Sequence, residues 1–321
     1  MTMPSELELR LRRQGYHILG GHGAFKACQW QRKSLLEGRS CYKERFYGIA
    51  SHRCLQMTPV VDKCTQQCRF CWRVTPSDIG VEWDQLTTNR GSILEPDDLI
   101  DAVFEANLRS LGGYNPAVAP SVKPEKWREA REPKHIAVSL AGEPTLYPYL
   151  SDLIDAIRQR GMTSFVVTNG TMPEVIADMT PPTQLYLTLA APDEETYRNL
   201  CRPIVKGAWE RVKESQRMLG SLNCRTVNRL TMVASWNMGD VESYSKLIRM
   251  GEPNFVEAKG YMFLGFSRSR MSRANSPSHD IIREFSERLS DSCGYYLIDE
   301  QVESRVVLLS RSKEIKKLEH T

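Results

Sequence analysis

The sequence predicts an α/β fold built on a parallel sheet, and two observations support this class. Short β-rich segments recur at residues 135–140, 164–168, 185–189, 227–233 and 255–262, and segments of helical character separate them. Such alternation is typical of βαβ units, whose strands run parallel. The second observation is the length of 321 residues, because barrels of about this size are common single domains.

The helices between these strands are expected at residues 95–111, 149–160, 194–200, 208–219 and 241–250. The first begins with Glu95-Pro96-Asp97-Asp98, and proline and acids in the first turn are typical of a helix start. Residues 112–133 are rich in Gly, Pro and Lys and are predicted to be a surface insertion. Residues 295–309 are predicted to form a hairpin packed on the barrel edge.

The composition indicates a globular protein of the reducing cytosol. Charged residues make up 26% of the chain, and the N-terminus has no apolar signal core. No apolar run reaches membrane-spanning length, so a membrane protein is not expected. Nine cysteines without a secretion signal favour metal ligation over disulfides. The net charge of +4 is mildly favourable for a nucleic-acid partner.

Three cysteines with the spacing CxxxCxxC are the strongest functional signal. They are Cys64, Cys68 and Cys71, with Phe70 before the third and Trp72 after it. Three closely spaced thiolates suit an iron–sulfur cluster, which normally takes four protein sulfurs, so one iron is left for another ligand. A closed zinc site would favour CxxC pairs and a fourth Cys or His. The alternative interpretation of these three cysteines is a zinc-binding loop or a set of buried free thiols.

Three further cysteines precede this motif. Cys28, Cys41 and Cys54 are thirteen residues apart each, within GHGAFKACQW, SCYKERFYG and SHRCLQMTP. The CxxxCxxC motif with its aromatics is typical of the radical S-adenosylmethionine (SAM) superfamily. Together with the upstream segments, it closely resembles the tRNA 4-demethylwyosine synthase family from about residue 20 to about residue 279.

This resemblance implies a particular version of the α/β fold. The fold would be a partial, TIM-like (βα)6 barrel of the radical SAM type, with an N-terminal cluster-binding extension. The first strand is expected near residues 58–62, with the cluster loop after it and ligands at the C-terminal strand ends. The implied divisions are an extension over residues 1–57, a barrel over 58–290 and a C-terminal hairpin or tail over 291–321.

The resemblance also assigns the first cluster and SAM. Cys64, Cys68 and Cys71 would hold a 4Fe–4S cluster whose open iron chelates SAM, and an electron from it would yield a 5′-deoxyadenosyl radical. The loop after residues 135–140 resembles the superfamily's Gly-Gly-Glu loop. Glycines after strands are usually only turn residues. The expected SAM contacts are Gly142, Glu143 and Pro144, then Thr168, Asn169 and Gly170, then Gly260 in the segment 260–265.

By the same resemblance, Cys28, Cys41 and Cys54 would bind a second 4Fe–4S cluster that serves pyruvate. In an extended segment Lys43 would project to the same side as Cys41 and could form an imine with the pyruvate carbonyl. The imine requires a neutral amine, whereas nearby negative clusters would tend to raise the lysine pKa. A generic lysine is usually a solvated surface charge.

The implied reaction condenses pyruvate with N1-methylguanosine beside the anticodon of tRNA-Phe to give 4-demethylwyosine. Base flipping is expected, since the radical must reach the N1-methyl group. The chain has no room for the flavodoxin domain of eukaryotic relatives, so an external flavodoxin- or ferredoxin-like donor is implied. A cytoplasmic monomer is expected.

Two other functions stay open. One is another two-cluster radical SAM enzyme, a methylthiotransferase or a maturase, in which the second cluster donates sulfur or relays electrons. The other is a non-catalytic, zinc-stabilised RNA-binding module. Pyruvate dependence separates the first from the synthase, and iron and sulfide content separates the second.

Several residues carry weaker expectations. Ala190 and Ala234 occupy positions where the family pattern leads us to expect Asp and often Lys, so neither is assigned a role. The histidines are expected to be hydrogen-bonded structural or substrate-contacting residues, and the remaining cysteines ordinary thiols. A basic loop could contact tRNA phosphates or be merely solvated. These residues are His22, His52 and His279; Cys201, Cys224 and Cys293; and Arg268, Arg270 and Arg273.

Overall fold

The computed structural model describes residues 3–80 and 93–318. The chain divides into two compact units. The first contains Met1–Lys63, Ile79–Val166 and Lys316–Thr321, and the second contains Cys64–Asp78 and Val167–Ile315. Across the described ranges, every helix is too short or too polar to cross a bilayer.

The first unit carries the start of the parallel sheet. Strands β3 and β4 are parallel, with Leu55 opposite Ile136, and β4 is parallel to β5, with Ile136 opposite Ser164. An antiparallel hairpin, β1–β2, is added to β3. These strands are β1 (His17–Leu19), β2 (Gly23–Phe25), β3 (Cys54–Thr58), β4 (His135–Val138) and β5 (Thr163–Thr168), the last of which extends two residues into the second unit.

Six helices accompany these strands: α1 (Ser5–Arg13), α2 (Gln29–Glu37), α3 (Tyr42–Tyr47), α4 (Pro96–Leu111), α5 (Pro124–Ala130) and α6 (Leu150–Gln159). Helix α4 begins at Pro96 after the N-cap Glu95, as the sequence predicts. Its residues Leu99, Ile100 and Val103 are buried, so the apolar face of the helix covers the core.

The second unit continues the alternation and ends in a hairpin. Strands β6, β7 and β8 are parallel, and β10 pairs antiparallel with both β8 and β9, giving the order β6-β7-β8-β10-β9. The strands are β6 (Gln184–Thr188), β7 (Arg225–Met232), β8 (Phe255–Gly260), β9 (Tyr296–Gln301) and β10 (Val306–Ser310). The helices are α7 (Pro173–Asp178), α8 (Glu194–Cys201), α9 (Ala208–Met218), α10 (Val241–Gly251) and α11 (His279–Cys293).

The predicted α/β class with parallel strands is confirmed. Strands β3 to β8 are the six of the (βα)6 pattern, three in each unit, and each is followed by at least one helix. The expected hairpin at residues 295–309 is present as β9 and β10. Buried residues of β7, β8, α11 and β10 form one apolar cluster, which includes Leu230, Val256, Ile282, Leu289 and Val307.

Two local predictions were wrong. The first parallel strand is Cys54–Thr58 and not residues 58–62, because Pro59 has no N–H for the ladder and the Thr58 hydroxyl donates to Ala141 O at 2.6 Å. Residues 112–133 are not merely a surface insertion. They contain α5, and Val122 and Ala130 are buried in a cluster with Leu35 and Leu111, a pattern that the Gly- and Pro-rich composition obscured.

Candidate functional site

The CxxxCxxC segment, which we call the cluster loop (residues 64–73), lies in the second unit and is bound to the end of α8. The Gln67 backbone N–H lies within hydrogen-bonding distance of Cys201 O at 3.2 Å and Arg202 O at 3.1 Å. The Arg69 N–H donates to Leu200 O at 2.9 Å, and an isolated bridge joins Gln66 to Pro203. The loop is therefore fixed by backbone hydrogen bonds that do not depend on a metal.

Asn169, a predicted SAM contact, lies beside the first cysteine of the loop. Its Nδ2 donates to Thr65 Oγ1 at 2.8 Å and lies 3.6 Å from Cys64 Sγ. Its Oδ1 accepts from the backbone N–H of Thr171 at 3.0 Å and from the Thr171 hydroxyl at 2.7 Å. Thr171 thus orients the amide, and its nitrogen end holds the segment around Cys64.

Cys68 is joined to a second thiol that the sequence did not single out as functional. A hydrogen bond with the buried Cys201 and then burial raise the pKa of Cys68, with smaller contributions from Cys64 and Cys71. The Cys68 thiol lies 3.1 Å from Gln66 Oε1, whose amide nitrogen donates to Tyr197 OH at 2.7 Å. Cys201 is buried as expected, but it also contacts a candidate ligand.

Arg270 holds the second half of the cluster loop. Its guanidinium donates to Cys68 O at 2.6 Å, Cys71 O at 2.5 Å and Arg73 O at 3.1 Å. Asp78 faces the guanidinium at 3.4 Å, and the Arg270 side chain is only 10% exposed. Neither phosphate binding nor solvation, the two expectations for this loop, describes Arg270, because its largely buried fork is directed at backbone carbonyls of the cluster loop. Arg268 and Arg273 are exposed.

Gly265 makes the closest approach to this loop. Its φ is +55°, and a Cβ added there would lie 2.2 Å from Trp72 O, which also accepts from the Phe266 N–H at 3.0 Å. Only glycine fits this position without movement.

Gly260 ends β8, and its N–H donates to Arg305 O at 2.8 Å, beside the C-terminal hairpin.

The predicted Gly142-Glu143-Pro144 loop lies in the first unit. Gly142 has φ +68°, and a Cβ there would fall 1.7 Å from Val60 O. The Glu143 N–H donates to Lys63 O at 2.8 Å, while its buried carboxylate accepts from the Thr145 hydroxyl at 2.7 Å. The backbone following β4 is therefore packed directly on residues 60–63.

The other predicted strand end lies in the second unit. The Thr168 hydroxyl accepts from the Gly170 N–H at 3.1 Å, and Gly170 O accepts from the Ser215 hydroxyl at 2.7 Å. Gly170 has φ +77°, which favours glycine at this turn.

The second set of cysteines is gathered in the first unit. Cys28 is the N-cap of α2, Cys41 is the N-cap of α3 and Cys54 begins β3. Burial raises the pKa of Cys54 to about 12, the charge of Lys43 lowers it, and Cys28 and Cys41 each raise it. Because Cys28, Cys41 and Lys43 each affect the pKa of Cys54, all three lie close to its thiol.

Lys43 is not in an extended segment. It lies in α3, so the expectation that alternating residues carry it to the side of Cys41 was wrong. Lys43 instead lies close enough to Cys54 for its charge to lower the pKa of that thiol. Its Nζ lies 5.8 Å from the centroid of the Phe165 ring. The helix starts at Tyr42 and so places Lys43 in its first turn.

The two cysteine sets have the chemistry of iron ligands. In the described residues no three His, Cys, Asp or Glu side chains already form a metal site, and every described cysteine is a thiol outside any disulfide. All six candidates are partly buried, and Cys54 and Cys68 each interact electrostatically with the other two thiols of their own set. Three thiols apiece, shielded but not sealed, fit the donor set of an iron–sulfur cluster.

His22, His52 and His279, the histidines singled out from the sequence, are each hydrogen-bonded within the protein. His22 Nδ1 lies 2.7 Å from Pro59 O, and its Nε2 accepts from the Leu94 N–H at 2.9 Å. His52 Nε2 pairs with Glu129 at 2.6 Å, and His279 Nε2 pairs with Glu300 at 2.8 Å.

Two protein families match the sequence. The radical SAM superfamily matches residues 58–248, and the family of wyosine base formation matches residues 250–311. A relative from Pyrococcus abyssi, an S-adenosyl-L-methionine-dependent tRNA 4-demethylwyosine synthase, is 46% identical over 97% of this chain and 90% of its own length. A relative from Mus musculus, the S-adenosyl-L-methionine-dependent tRNA 4-demethylwyosine synthase TYW1, is 36% identical over 94% of this chain and 41% of its own length.

Two solved structures share the fold over nearly the whole chain. A structure of TYW1 with a lysine–pyruvate adduct bound has a TM-score of 0.87 and 38% identity, and 97% of each chain is covered. The crystal structure of archaeal TYW1 has a TM-score of 0.80 and 34% identity, and 99% of each chain is covered.

Proposed function

The chain belongs to the tRNA 4-demethylwyosine synthase family of radical SAM enzymes, and on that premise we propose that it uses two 4Fe–4S clusters and condenses pyruvate with N1-methylguanosine of tRNA-Phe. Membership makes it an enzyme of wyosine biosynthesis that acts on tRNA with SAM and a 4Fe–4S cluster. The second cluster, pyruvate and the individual site residues are the finer part of the proposal.

Cys64, Cys68 and Cys71 are the proposed ligands of the radical cluster. The bound cluster and SAM together supply a 5′-deoxyadenosyl radical, and the chain supplies orientation and shielding. Arg270 would hold the carbonyls of Cys68 and Cys71, and Asn169 the segment at Cys64. With these hydrogen bonds in place, the three thiols need little further ordering when the cluster binds.

Two groups of residues are the proposed SAM contacts. In the first unit, the Glu143 carboxylate accepts from Thr145, so Gly142, Glu143 and Pro144 are proposed to receive the SAM amino group through their backbone. In the second unit, the contacts are proposed at Thr168, Asn169, Gly170 and Gly260. Their support is their position after β5 and at the end of β8.

Cys28, Cys41 and Cys54 are the proposed ligands of the second cluster. Its support is that Cys28 and Cys41 both raise the pKa of Cys54, which the regular spacing in the sequence alone would not require. These three residues would hold the cluster, and it would supply iron that is open to the oxygen donors of pyruvate.

Lys43 is the proposed nucleophile. The lone pair of its amine would attack C2 of pyruvate, and the carbonyl oxygen would leave as water, giving an imine. The observation that supports this assignment is the position of Lys43 in the first turn of the helix that Cys41 caps, together with its effect on the pKa of Cys54. A lysine–pyruvate adduct in the related TYW1 structure supports the same chemistry.

The cellular setting is proposed from the rest of the chain. All described cysteines are thiols, which supports a reducing cytoplasm. We also propose an external flavodoxin- or ferredoxin-like electron donor and a monomeric state. The functional segments proposed are residues 1–57 for the second cluster, 58–290 for the radical SAM barrel and 291–321 for the C-terminal hairpin.

An anaerobic assay tests this function. Protein with reconstituted clusters is incubated with N1-methylated tRNA, SAM and reductant, with and without pyruvate, and the nucleosides are analysed by mass spectrometry. The tricyclic base should form only with pyruvate, and about eight irons per chain are expected. A methylthiolated product without pyruvate would support the methylthiotransferase, and zinc without iron would support the RNA-binding module.

A further inference from the structure

Two exposed indoles lie in the second unit, Trp72 within the cluster loop and Trp236 beside it. Trp72 and Trp236 are each 37% exposed. The Arg73 guanidinium lies 4.5 Å from the centroid of the Trp72 ring, and that of Arg69 lies 5.5 Å from the Trp236 ring. Each exposed indole is thus paired with a cation from the cluster loop itself.

The backbone that presents these side chains is fixed. Trp72 O accepts from the Phe266 N–H at 3.0 Å. The Arg69 N–H donates to Leu200 O at 2.9 Å, and Arg69 Nε donates to Asn199 O at 2.9 Å. Exposure of Trp72 is consequently a property of an ordered loop, and Arg69, the cation beside Trp236, is held through both its backbone and its side chain.

Trp236 stands on a strained turn after β7. Ser235 has φ +66°, a conformation that is unfavourable for a non-glycine residue. Asn237, which is 1% exposed, stabilises the turn by accepting from the Val233 N–H at 2.7 Å and donating to Ala190 O at 2.7 Å. A strained backbone secured by a buried side chain keeps the indole at the surface, where it contributes little to the core.

More cations lie on the connection between α8 and α9. Arg202 and Lys206 are exposed and line a cavity of about 570 Å³, together with Gln67 of the cluster loop. Arg198 lines it as well but is paired with Glu194 at 2.7 Å. Positive charge therefore lies beside the cluster loop, around a cavity that Gln67 of that loop also lines.

We propose that these residues form one RNA-binding surface that takes unpaired nucleotides of the tRNA substrate. Unstacked bases would lie on the two indoles and the arginine planes, and the backbone phosphates would pair with the cations. Because Arg69 lies between Cys68 and Cys71, RNA bound at this surface would lie against the cluster loop. The indole–arginine surface consists of Arg69, Trp72, Arg73, Arg202, Lys206 and Trp236.

This inference rests on the tRNA substrate and is tested by binding alone. An N1-methylated anticodon stem-loop of tRNA-Phe is titrated with cluster-loaded protein, and its fluorescence anisotropy is followed at two or more salt concentrations. Trp236→Leu should weaken binding about tenfold, since it removes a stacking face, whereas Trp236→Phe should restore most of the affinity. Arg202→Asn tolerates the left-handed backbone at this position, and Lys206→Gln removes the charge while keeping a polar side chain; each should lower the salt slope by roughly 0.7.

The matched controls are Arg217→Gln on α9 and Lys246→Gln on α10, two exposed cations of the same unit outside the surface. They should leave the affinity and the salt slope unchanged. Iron content and thermal unfolding establish that each variant is folded and loaded. Wild-type-like binding by the folded Trp236, Arg202 and Lys206 variants would overturn the surface, as would equal losses in the controls. Failure of the wild type to bind the stem-loop would instead contradict the substrate on which the inference rests.

Discussion

Arg270 donates a hydrogen bond to the carbonyl oxygen of Cys68 at 2.6 Å, across 202 residues of sequence. The same guanidinium reaches Cys71 O at 2.5 Å, so one fork ties together the second and third cysteines of CxxxCxxC. Hydrogen bonds from charged donors are the stronger kind, and a buried carbonyl left without its donor is costly. The cluster loop is thus ordered by a residue from the far end of the barrel sequence.

The first prediction concerns this fork. Arg270→Met should leave the carbonyls without donors, cost about 2–4 kcal/mol of folding free energy and lower the iron content of the reconstituted protein. Arg270→Lys retains the charge without the fork and should recover only part of the loss. Arg273→Met, at an exposed neighbouring position, is the control. Full iron retention and an unchanged cluster EPR spectrum in Arg270→Met would refute the positioning role.

The second prediction concerns Gly265. Gly265→Ala would put a Cβ 2.2 Å from Trp72 O at a φ of +55°, so the backbone must move. We expect a loss of more than about 1 kcal/mol in the free energy of unfolding, measured with urea. Gly239→Ala, where a Cβ meets no atom within 4 Å, should stay within about 0.5 kcal/mol of the wild type. Equal effects at both glycines would contradict the close packing proposed for the loop.

The third prediction separates the two clusters. Cys68→Ala should abolish reductive SAM cleavage, because the cluster that delivers the electron is lost. Cys41→Ala should preserve some uncoupled SAM cleavage while tricycle formation stops, and about four irons per chain should remain. Methionine and 5′-deoxyadenosine are quantified after anaerobic incubation. Equal loss of cleavage in both variants, each still folded, would show that the division of labour is wrong.

The fourth prediction follows from His22. Its Nε2 accepts the Leu94 N–H, so the folded state requires a neutral ring, and burial lowers the pKa of His22 below its ordinary value of 6.5. Below pH 6.5 the unfolded chain binds a proton that the folded chain refuses, so the stability falls as the pH decreases towards the lowered pKa.

Thermal unfolding of wild type and His22→Gln between about pH 7.5 and about pH 5.5 measures this contribution. Glutamine keeps a donor and an acceptor but does not titrate, so its melting temperature should fall less steeply with acid. A slope in His22→Gln equal to that of the wild type would exclude His22 as a source of the pH dependence.

The sequence predicts best where the signal is local. The strand and helix periods recover β4 to β8, and the CxxxCxxC spacing identifies the cluster loop without any tertiary information. The expectation for Lys43 failed in its geometry because Cys41 caps a helix, which the short segment between two cysteines did not reveal. Its proximity to Cys54 depends on the fold and not on i, i+2 spacing.

Long-range partners could not be predicted. Arg270 looks like one member of a solvent-exposed basic run, and only the folded chain brings its guanidinium to the cluster loop. Cys201 has no ligand spacing, yet α8 carries it to Cys68. The strained turn at Ser235 contains no glycine that would predict it from the sequence. The buried Asn237 stabilises that conformation instead.

Trapping of an imine at Lys43 tests the central claim most directly. Cluster-loaded protein is treated with pyruvate and borohydride, which would deliver hydride to the imine carbon and leave a stable secondary amine. The chain should become heavier by one reduced pyruvyl group that peptide mapping locates at Lys43. The label should be absent in Lys43→Ala and in Lys43→Arg, which retains the charge but cannot form the imine, and both variants should fail to make the tricycle. An unlabelled wild type, or an active Lys43→Arg enzyme, would contradict the Schiff-base mechanism and leave Lys43 as a carboxylate-binding or structural cation.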